Sequence, residues 1–155
     1  MSVEKIRLSF LLVPVLLTLT TVTSWAGECS RATLKGRFVA FEQGQMVVAV
    51  PPIFDVGPFI LTANPTFDGA GHFSGTYFAS ANGDIRTGTF SGTYTVLRDC
   101  TYSDDFTAIV HLPGIGDIPV PLHHQGFISG ETILQEIHYI YADPGSAISG
   151  TVKRW

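Results

Sequence analysis

The sequence predicts an all-β fold, an antiparallel barrel of eight or nine strands. Three Gly-Thr-aromatic triplets, at residues 75–77, 88–90 and 92–94, lie among alternating small and aromatic residues. Threonine and aromatic residues favour strands, and regularly spaced glycines allow strands to bend sharply. The segments between the predicted strands are short, which favours antiparallel neighbours, and no segment after residue 26 shows a sustained helical period. Closure removes exposed sheet edges, so we favour a barrel over the alternative, a two-sheet β-sandwich.

The predicted strands follow one another along the chain with turn signals between them. They cover residues 34–42, 46–50, 59–67, 72–80, 85–97, 104–112, 118–129, 132–141 and 148–155. The strand at 85–97 has the clearest two-residue alternation, with Phe90 and Tyr94 on one face and Thr89 and Thr93 on the other. We therefore expect Phe90 and Tyr94 to be buried.

Part of this pattern resembles known proteins. The Gly-Thr-Tyr strands, the turn at 67–71 and Cys100 after the central strand resemble a group of small exported bacterial β-barrel proteins. They are similar, more distantly, to the allene oxide cyclase and dirigent type of barrel. The resemblance covers residues 29–102 and implies a barrel fold. It carries no catalytic motif that maps residue by residue, so it transfers no functional residue.

The first 26 residues have the features of a secretory signal peptide. Lys5 and Arg7 precede an apolar run at 8–22, and small residues at 24 and 26 fit a cleavage site. The alternative is a retained membrane anchor, but the run is shorter than the roughly 20 residues that span a bilayer. The mature chain, residues 27–155, is then a single β-barrel domain that is secreted or periplasmic.

The charge of the mature chain excludes some classes of partner. Removing Lys5, Arg7 and Glu4 from the 9 basic and 13 acidic residues leaves 7 and 12, a formal charge of −5. An acidic surface without a basic run argues against nucleic acid and against anionic membranes. No phosphate loop, dinucleotide fingerprint, nucleophile elbow or metalloprotease helix occurs, and we expect no cofactor.

Two cysteines, Cys29 and Cys100, both lie in the predicted mature chain. In an oxidising compartment such a pair most simply forms one disulfide. The bond would join the start of the first strand to the turn after the central strand. Two distant thiols supply too few ligands for a zinc site.

A cluster of polar residues near the C-terminus supplies the candidate catalytic residues. A tight hairpin turn near residue 130 would place His123, Glu136 and His138 on one face of two paired strands. A carboxylate beside an imidazole can form an acid–base pair, and two histidines with a carboxylate can hold a metal. The three residues therefore form the solvated outer face of a hairpin, a polar cluster in the lumen, or a metal site, and we expect no metal.

The candidate ligand-binding residues are aromatic side chains predicted to face the barrel interior. Tyr77, Phe90 and Tyr94 belong to the triplets, and Arg86 shares the face of Phe90. Arg86 could bind an anion inside the barrel or extend to water at the strand end. Glu42, on the face of residues 38 and 40, is either an inward carboxylate or a solvated strand end.

Three further segments carry weaker functional signals. Asp104 and Asp105 are expected in a turn before a strand. Residues 46–58 and 112–122 are apolar and contain prolines, which disfavour central strands. Loops this apolar must cover the barrel's own end, a small apolar ligand, or another copy of the chain in a homo-oligomer.

The function we expect is binding of a small, largely apolar molecule in or at the mouth of an exported barrel. One alternative is a cyclase or isomerase that acts on a hydrophobic substrate in the lumen. Another is a structural or interaction protein with a filled core. A hollow interior of about 300 Å³ or more would favour binding or catalysis.

Export and the disulfide give the first testable prediction. The exported protein is expected to begin near Gly27 and to contain no free thiol. Replacing Cys100 is expected to lower the free energy of unfolding by about 4 kcal/mol, because the bond would close a loop of about 70 residues. N-terminal sequencing, thiol titration and denaturant unfolding check these points. Two free thiols in folded protein under oxidising conditions would contradict the disulfide.

Overall fold

The computed structural model describes residues 29–130 and 135–155, which form a closed antiparallel β-barrel. A single 3₁₀ turn, Arg31–Thr33, precedes the sheet. The strands are β1 (Lys35–Met46), β2 (Gly57–Ala63), β3 (Thr66–Asp68), β4 (His72–Ala81), β5 (Asp84–Val96), β6 (Thr101–Leu112), β7 (Gly116–Ser129), β8 (Glu136–Tyr141) and β9 (Ser146–Arg154). From β4 onwards each strand pairs with the next, and β9 pairs with β1, which closes the sheet. The barrel prediction is confirmed. The predicted signal peptide lies outside the described residues.

Eight strand positions surround the barrel, because β2 and β3 share one position between β1 and β4. The sequence predicted a single strand over 59–67, and the structure interrupts it at Asn64 and Pro65. Pro65 has no N–H to donate to a ladder, and its carbonyl accepts instead from the Phe38 N–H at 2.9 Å. The Asn64 N–H still reaches the Thr76 carbonyl at 3.0 Å, so both halves remain attached to the sheet.

The predicted strand at 46–50 is wrong. β1 continues to Met46, and beyond it only Val50 makes an isolated bridge, to Phe54. Pro51 and Pro52 form a turn at this point, because proline cannot donate to a ladder and restricts the residue before it.

The expectation of an apolar loop over 112–122 is also wrong. Only the turn at 113–115 separates β6 from β7, and Pro119 and Pro121 lie within β7. The pairing of β8 with β7 extends only to Tyr141 opposite His124, so the earlier part of β7 has one unpaired side. Prolines are tolerated on such an unpaired edge.

The Gly-Thr-aromatic triplets are explained by the pairing of β4 with β5. Gly75 lies opposite Phe90, and Gly88 lies opposite Tyr77. A Cβ at Gly75 would lie 2.5 Å from Phe90 Cζ, and one at Gly88 would lie 2.8 Å from Tyr77 Oη. Each aromatic ring therefore lies across the glycine of the neighbouring strand, a contact that stabilises the pair and curves the sheet.

One end of the barrel is filled and closed. Leu34 and Phe38 are almost fully buried there, and the Tyr94 hydroxyl donates to the Leu34 carbonyl at 3.2 Å. The predicted disulfide between Cys29 and Cys100 is present and ties the segment before β1 to the turn before β6. The burial expected for Phe90 and Tyr94 is confirmed, and Thr89 and Thr93 face outward. No helix in the described part of the chain is long and apolar enough to cross a membrane.

The closed end generates a stability prediction. Phe38 is 1% exposed and packs edge-on against Phe67 with ring centroids 5.1 Å apart. We expect Phe38→Ala to lower the free energy of unfolding by about 3–5 kcal/mol. Phe78→Ala, at a position 61% exposed on the outer surface, is the matched control and should change it by no more than about 1 kcal/mol. Denaturant unfolding of both variants measures this; equal losses would contradict the assignment of the two faces.

Candidate functional site

The barrel contains a cavity of about 390 Å³. Small side chains make this space, since Ala40, Ala63, Ala79 and Ala108 all point inward and line it. The cavity extends away from the disulfide to the opposite end of the barrel, where residues of the segments at 46–54 and 143–146 line it. A cavity of this volume lies within the range of small-molecule sites.

Two of the four predicted ligand-binding residues line the cavity. Tyr77 and Phe90 do so, among other aromatic and aliphatic side chains. Tyr94 is buried instead in the closed end, where its hydroxyl donates to backbone carbonyls. Arg86 is not among the lining residues; its guanidinium contacts Asp84 at 2.9 Å near the start of β5.

A buried carboxylate, Glu42, lies in the cavity wall. The hydroxyl of Tyr139 donates to Glu42 Oε1 at 2.6 Å, and that of Tyr141 donates to Oε2 at 2.5 Å. Burial raises the pKa of Glu42 above its usual range, although the hydrogen bonds from the two tyrosine hydroxyls oppose this. Burial also raises the pKa of both tyrosines, which keeps them neutral and able to donate.

The register of three strands brings Glu42 and Tyr139 together. Gly150 of β9 lies opposite Glu42 of β1 on one side and opposite Tyr139 of β8 on the other. A Cβ at Gly150 would lie 2.4 Å from Tyr139 Cζ, so the ring lies directly over the glycine. Tyr139 can therefore reach across β9 to the carboxylate only because residue 150 has no side chain.

A buried histidine–aspartate pair forms the second polar group of the cavity. Asp104 and His124 face each other across β6 and β7. Asp104 Oδ2 lies 3.2 Å from His124 Nδ1 and also accepts a hydrogen bond from the Tyr102 hydroxyl at 2.5 Å. The other oxygen, Asp104 Oδ1, accepts a hydrogen bond from the His124 backbone N–H at 3.1 Å. His124 Nε2 is buried and has no hydrogen-bond partner among the described residues.

The His124 ring joins the two polar groups into one patch. Its centroid lies 4.3 Å from the centroids of Tyr139 and Tyr141 and 4.8 Å from that of Phe106. Chemically, the patch combines a carboxyl group hydrogen-bonded to two hydroxyls with an imidazole held by a carboxylate. An arrangement of this kind can accept a hydrogen bond from a ligand or take a proton from one.

The structure decides two questions that the sequence left open. Glu42 is an inward carboxylate and not a solvated strand end, because β1 continues four residues beyond it to Met46. The expectation that Asp104 lies in a turn is wrong. β6 begins at Thr101, so Asp104 is within the strand and points inward, while Asp105 points outward.

The predicted cluster of His123, Glu136 and His138 lies outside the barrel. The register places Glu136 opposite Ser129 and His138 opposite Phe127, so the shared face is confirmed. That face is the outer surface, and the lumen alternative is wrong, since His123 and His138 side chains are 50% and 54% exposed. The core-facing positions of the same strands are occupied by apolar side chains and by His124.

The outer residues also divide into two separate groups. His123 Nδ1 contacts Asp143 Oδ1 at 2.6 Å and fixes the segment after β8. Glu136 contacts His138 at 3.3 Å and Lys153 at 2.7 Å at the other end of the strands. No group of three or more His, Cys, Asp or Glu side chains in residues 29–130 and 135–155 is arranged to hold a metal ion.

Sequence reasoning missed His124, Tyr102, Tyr139 and Tyr141 as functional candidates. One signal was available, because His124 alternates with Leu122 and Ile128 on the apolar face of its strand. A histidine in that position is buried and needs a polar partner. Its partner could not be predicted while Asp104 was assigned to a turn.

Comparison with protein-family models, with curated proteins and with solved structures found no match to this chain. A function therefore has to be argued from the geometry and chemistry of the site.

Two glutamates with opposite environments give a pH prediction. Because burial raises the pKa of Glu42, its contribution to stability is present below the ordinary value of 4.5 and is lost as the pH rises through the raised pKa. Glutamine does not ionise, so the Glu42→Gln variant should not lose stability in this way. The free energy of unfolding of the variant, minus that of the native protein, should therefore increase as the pH rises from 4 towards 7.

Glu136→Gln is the matched control. The Lys153 ammonium lowers the pKa of Glu136, so its contribution is present above 4.5 and is lost as the pH falls through the lowered pKa. This variant should lose stability relative to the native protein at neutral pH and match it in acid. Thermal unfolding of the three proteins across this pH range measures both trends. The same trend in both variants would contradict a buried, charge-penalised Glu42.

Proposed function

We propose that the protein binds a small, largely apolar molecule inside its barrel. The observation that carries this proposal is the cavity of about 390 Å³, whose wall is mostly aliphatic and aromatic with one polar patch. Sites for small molecules usually combine an apolar wall with a few polar groups that fix orientation. A filled core, which the structural alternative requires, would leave no such space.

We propose that binding takes place outside the reducing cytosol, in the secreted or periplasmic compartment. The disulfide between Cys29 and Cys100 supports this proposal, since such bonds persist in oxidising compartments. The signal-peptide pattern at 1–26 supports it independently.

The segment between β1 and β2 is consistent with a mouth for this molecule. Val50 and Phe54 line the cavity, and Ile53 is buried beneath the segment. Val47, Val48 and Val56 are exposed on its outer side. The same segment thus contacts the cavity and presents apolar side chains to the exterior, as expected at the entrance of an apolar site. Its use in a homo-oligomer stays a prediction.

One observation favours a second candidate function, a cyclase or isomerase with a hydrophobic substrate. Asp104 holds the Nδ1 side of His124, and the Nε2 side is free of described partners. A carboxylate that orients an imidazole in this way prepares its other nitrogen to act as a base. Binding remains the main proposal, because every catalytic alternative also requires it.

A neutral fluorescent probe tests the binding proposal. N-phenyl-1-naphthylamine, which is apolar and emits strongly only when shielded from water, should bind with saturation and a stoichiometry of one per barrel. Ala108→Phe should fill part of the cavity and weaken binding at least about tenfold, equivalent to about 1.4 kcal/mol.

Thr89→Phe is the control for the added ring. Thr89 lies on the outer face next to Phe90, so this variant should bind the probe like the native protein. Circular dichroism confirms that both variants are folded. Equal probe affinity in Ala108→Phe and the native protein would show that the probe binds elsewhere and would contradict the proposal.

A further inference from the structure

We propose that the ligand is a neutral apolar molecule with one hydroxyl group, an alcohol or a phenol, which donates a hydrogen bond to Nε2 of His124. This inference rests on the proposed function and names the chemical class that the cavity selects. It follows from the hydrogen-bond partners of the polar side chains in the cavity wall. Two of these side chains, Asp143 and Ser146, are paired with His123 and with the Asp143 carbonyl, respectively.

One polar atom of the wall lacks a partner. Glu42 accepts from two tyrosine hydroxyls, and the Tyr77 hydroxyl donates to the Ile109 carbonyl at 3.2 Å. Asp104 has three neighbouring donor groups from Tyr102 and His124. His124 is 6% exposed, yet its Nε2 has no hydrogen-bond partner in residues 29–130 and 135–155. A buried polar atom without a partner is costly, so a ligand that supplies one gains affinity.

The network around Asp104 decides what the ligand must supply. In a neutral imidazole one nitrogen carries the proton and the other the lone pair, and the Asp104 carboxylate beside Nδ1, which as an anion can only accept, favours the tautomer with the proton on Nδ1. Nε2 then carries the lone pair and acts as an acceptor. The ligand group that pairs with Nε2 must therefore be a hydrogen-bond donor. Because Nε2 is a single free acceptor, one donor on the ligand is enough.

Charge selects a neutral donor. Glu42, Asp104 and Asp143 line the cavity, and none of the described lining residues is Lys or Arg. An anionic ligand would lie near three carboxyl groups with no Lys or Arg in the described wall to compensate, which is unfavourable in a buried site. An ammonium group would need several acceptors to replace its hydration, whereas the oxygens of Glu42, Asp104 and Asp143 already have hydrogen-bond partners. A hydroxyl matches the single free acceptor.

Three probes with the same ring system separate these possibilities. Near neutral pH, 2-naphthol is neutral and has one O–H donor, naphthalene has none, and 2-naphthoate is an anion. We expect 2-naphthol to bind about tenfold more tightly than naphthalene, equivalent to about 1.4 kcal/mol, and 2-naphthoate to bind least tightly. Fluorescence titration, with competition against N-phenyl-1-naphthylamine, gives all three affinities at the same site.

Two histidine variants test whether the preference comes from Nε2. His124→Leu should reduce the ratio of 2-naphthol to naphthalene affinity to about one, while naphthalene affinity stays within about twofold. His138→Leu, on the outer face of the neighbouring strand, should keep the native ratio. In the native protein, ¹⁵N NMR should show the Nδ1–H tautomer of His124 and a shift of Nε2 when 2-naphthol binds. This NMR measurement shows whether the 2-naphthol hydroxyl pairs with Nε2 even if His124→Leu does not fold.

The outcomes distinguish the hydroxyl proposal from the proposed binding of an apolar molecule, on which it rests. If naphthalene and 2-naphthol compete for the cavity with equal affinity, the hydroxyl proposal is overturned and apolar binding stands. If 2-naphthoate binds most tightly, the ligand is an acid and the proposal is equally overturned. If none of the probes competes and N-phenyl-1-naphthylamine itself does not bind, both proposals fail together.

Discussion

The pairing of β1 with β9 is the constraint on which both the fold and the site depend. It closes the sheet, and it sets Gly150 between Glu42 and the strand that carries Tyr139. Without this closure, β1 and β9 would lie at opposite edges of an open sheet, and Glu42 would be far from Tyr139 of β8. A charged or hydrogen-bonding residue in an open sheet could reach water, but in the closed barrel Glu42 must find its partners inside. The two tyrosine hydroxyls supply them.

The distribution of side-chain size divides the barrel into a filled end and a hollow end. Aromatic rings pack around Phe67 at the closed end, where Phe38 and Tyr94 contact it edge-on at 5.1 Å. Alanines replace such rings along the wall of the cavity, as at Ala40 and Ala108. The glycines opposite Tyr77 and Phe90 let these two rings lie across the neighbouring strand, so they line the wall without closing the space.

The buried polar patch is costly for the free protein. Burial raises the pKa of Glu42 and disfavours its charged form. Hydrogen bonds offset part of this cost, but Nε2 of His124 has no described partner that would offset its own desolvation. Strongly perturbed titratable groups that line a cavity are characteristic of functional sites. The same residues would contribute less to stability than apolar side chains of equal size, which is a reason to connect them with a ligand.

By itself, the sequence determined the class of fold, the order of the strands and the disulfide. The alternation in β5 and the turns between strands are local signals, and local signals are sufficient when neighbours in sequence are also neighbours in the sheet. Sequence reasoning was less reliable where strand ends are set by distant partners. β6, for example, begins at Thr101 and not at residue 104. At Thr101 the carbonyl accepts a hydrogen bond from the Leu97 N–H, and the disulfide from Cys100 to Cys29 holds the turn between them.

Only the tertiary structure decided which polar residues form the site. Glu42 and Tyr139 are 97 residues apart, and they meet because barrel closure brings the first strand beside the last. The sequence placed His123, Glu136 and His138 correctly on one face but left open whether that face is the outer surface or the lumen. The structure turned that face outward and the His124 face inward, because the apolar residues that alternate with His124 gain more from burial than the polar residues on the other face.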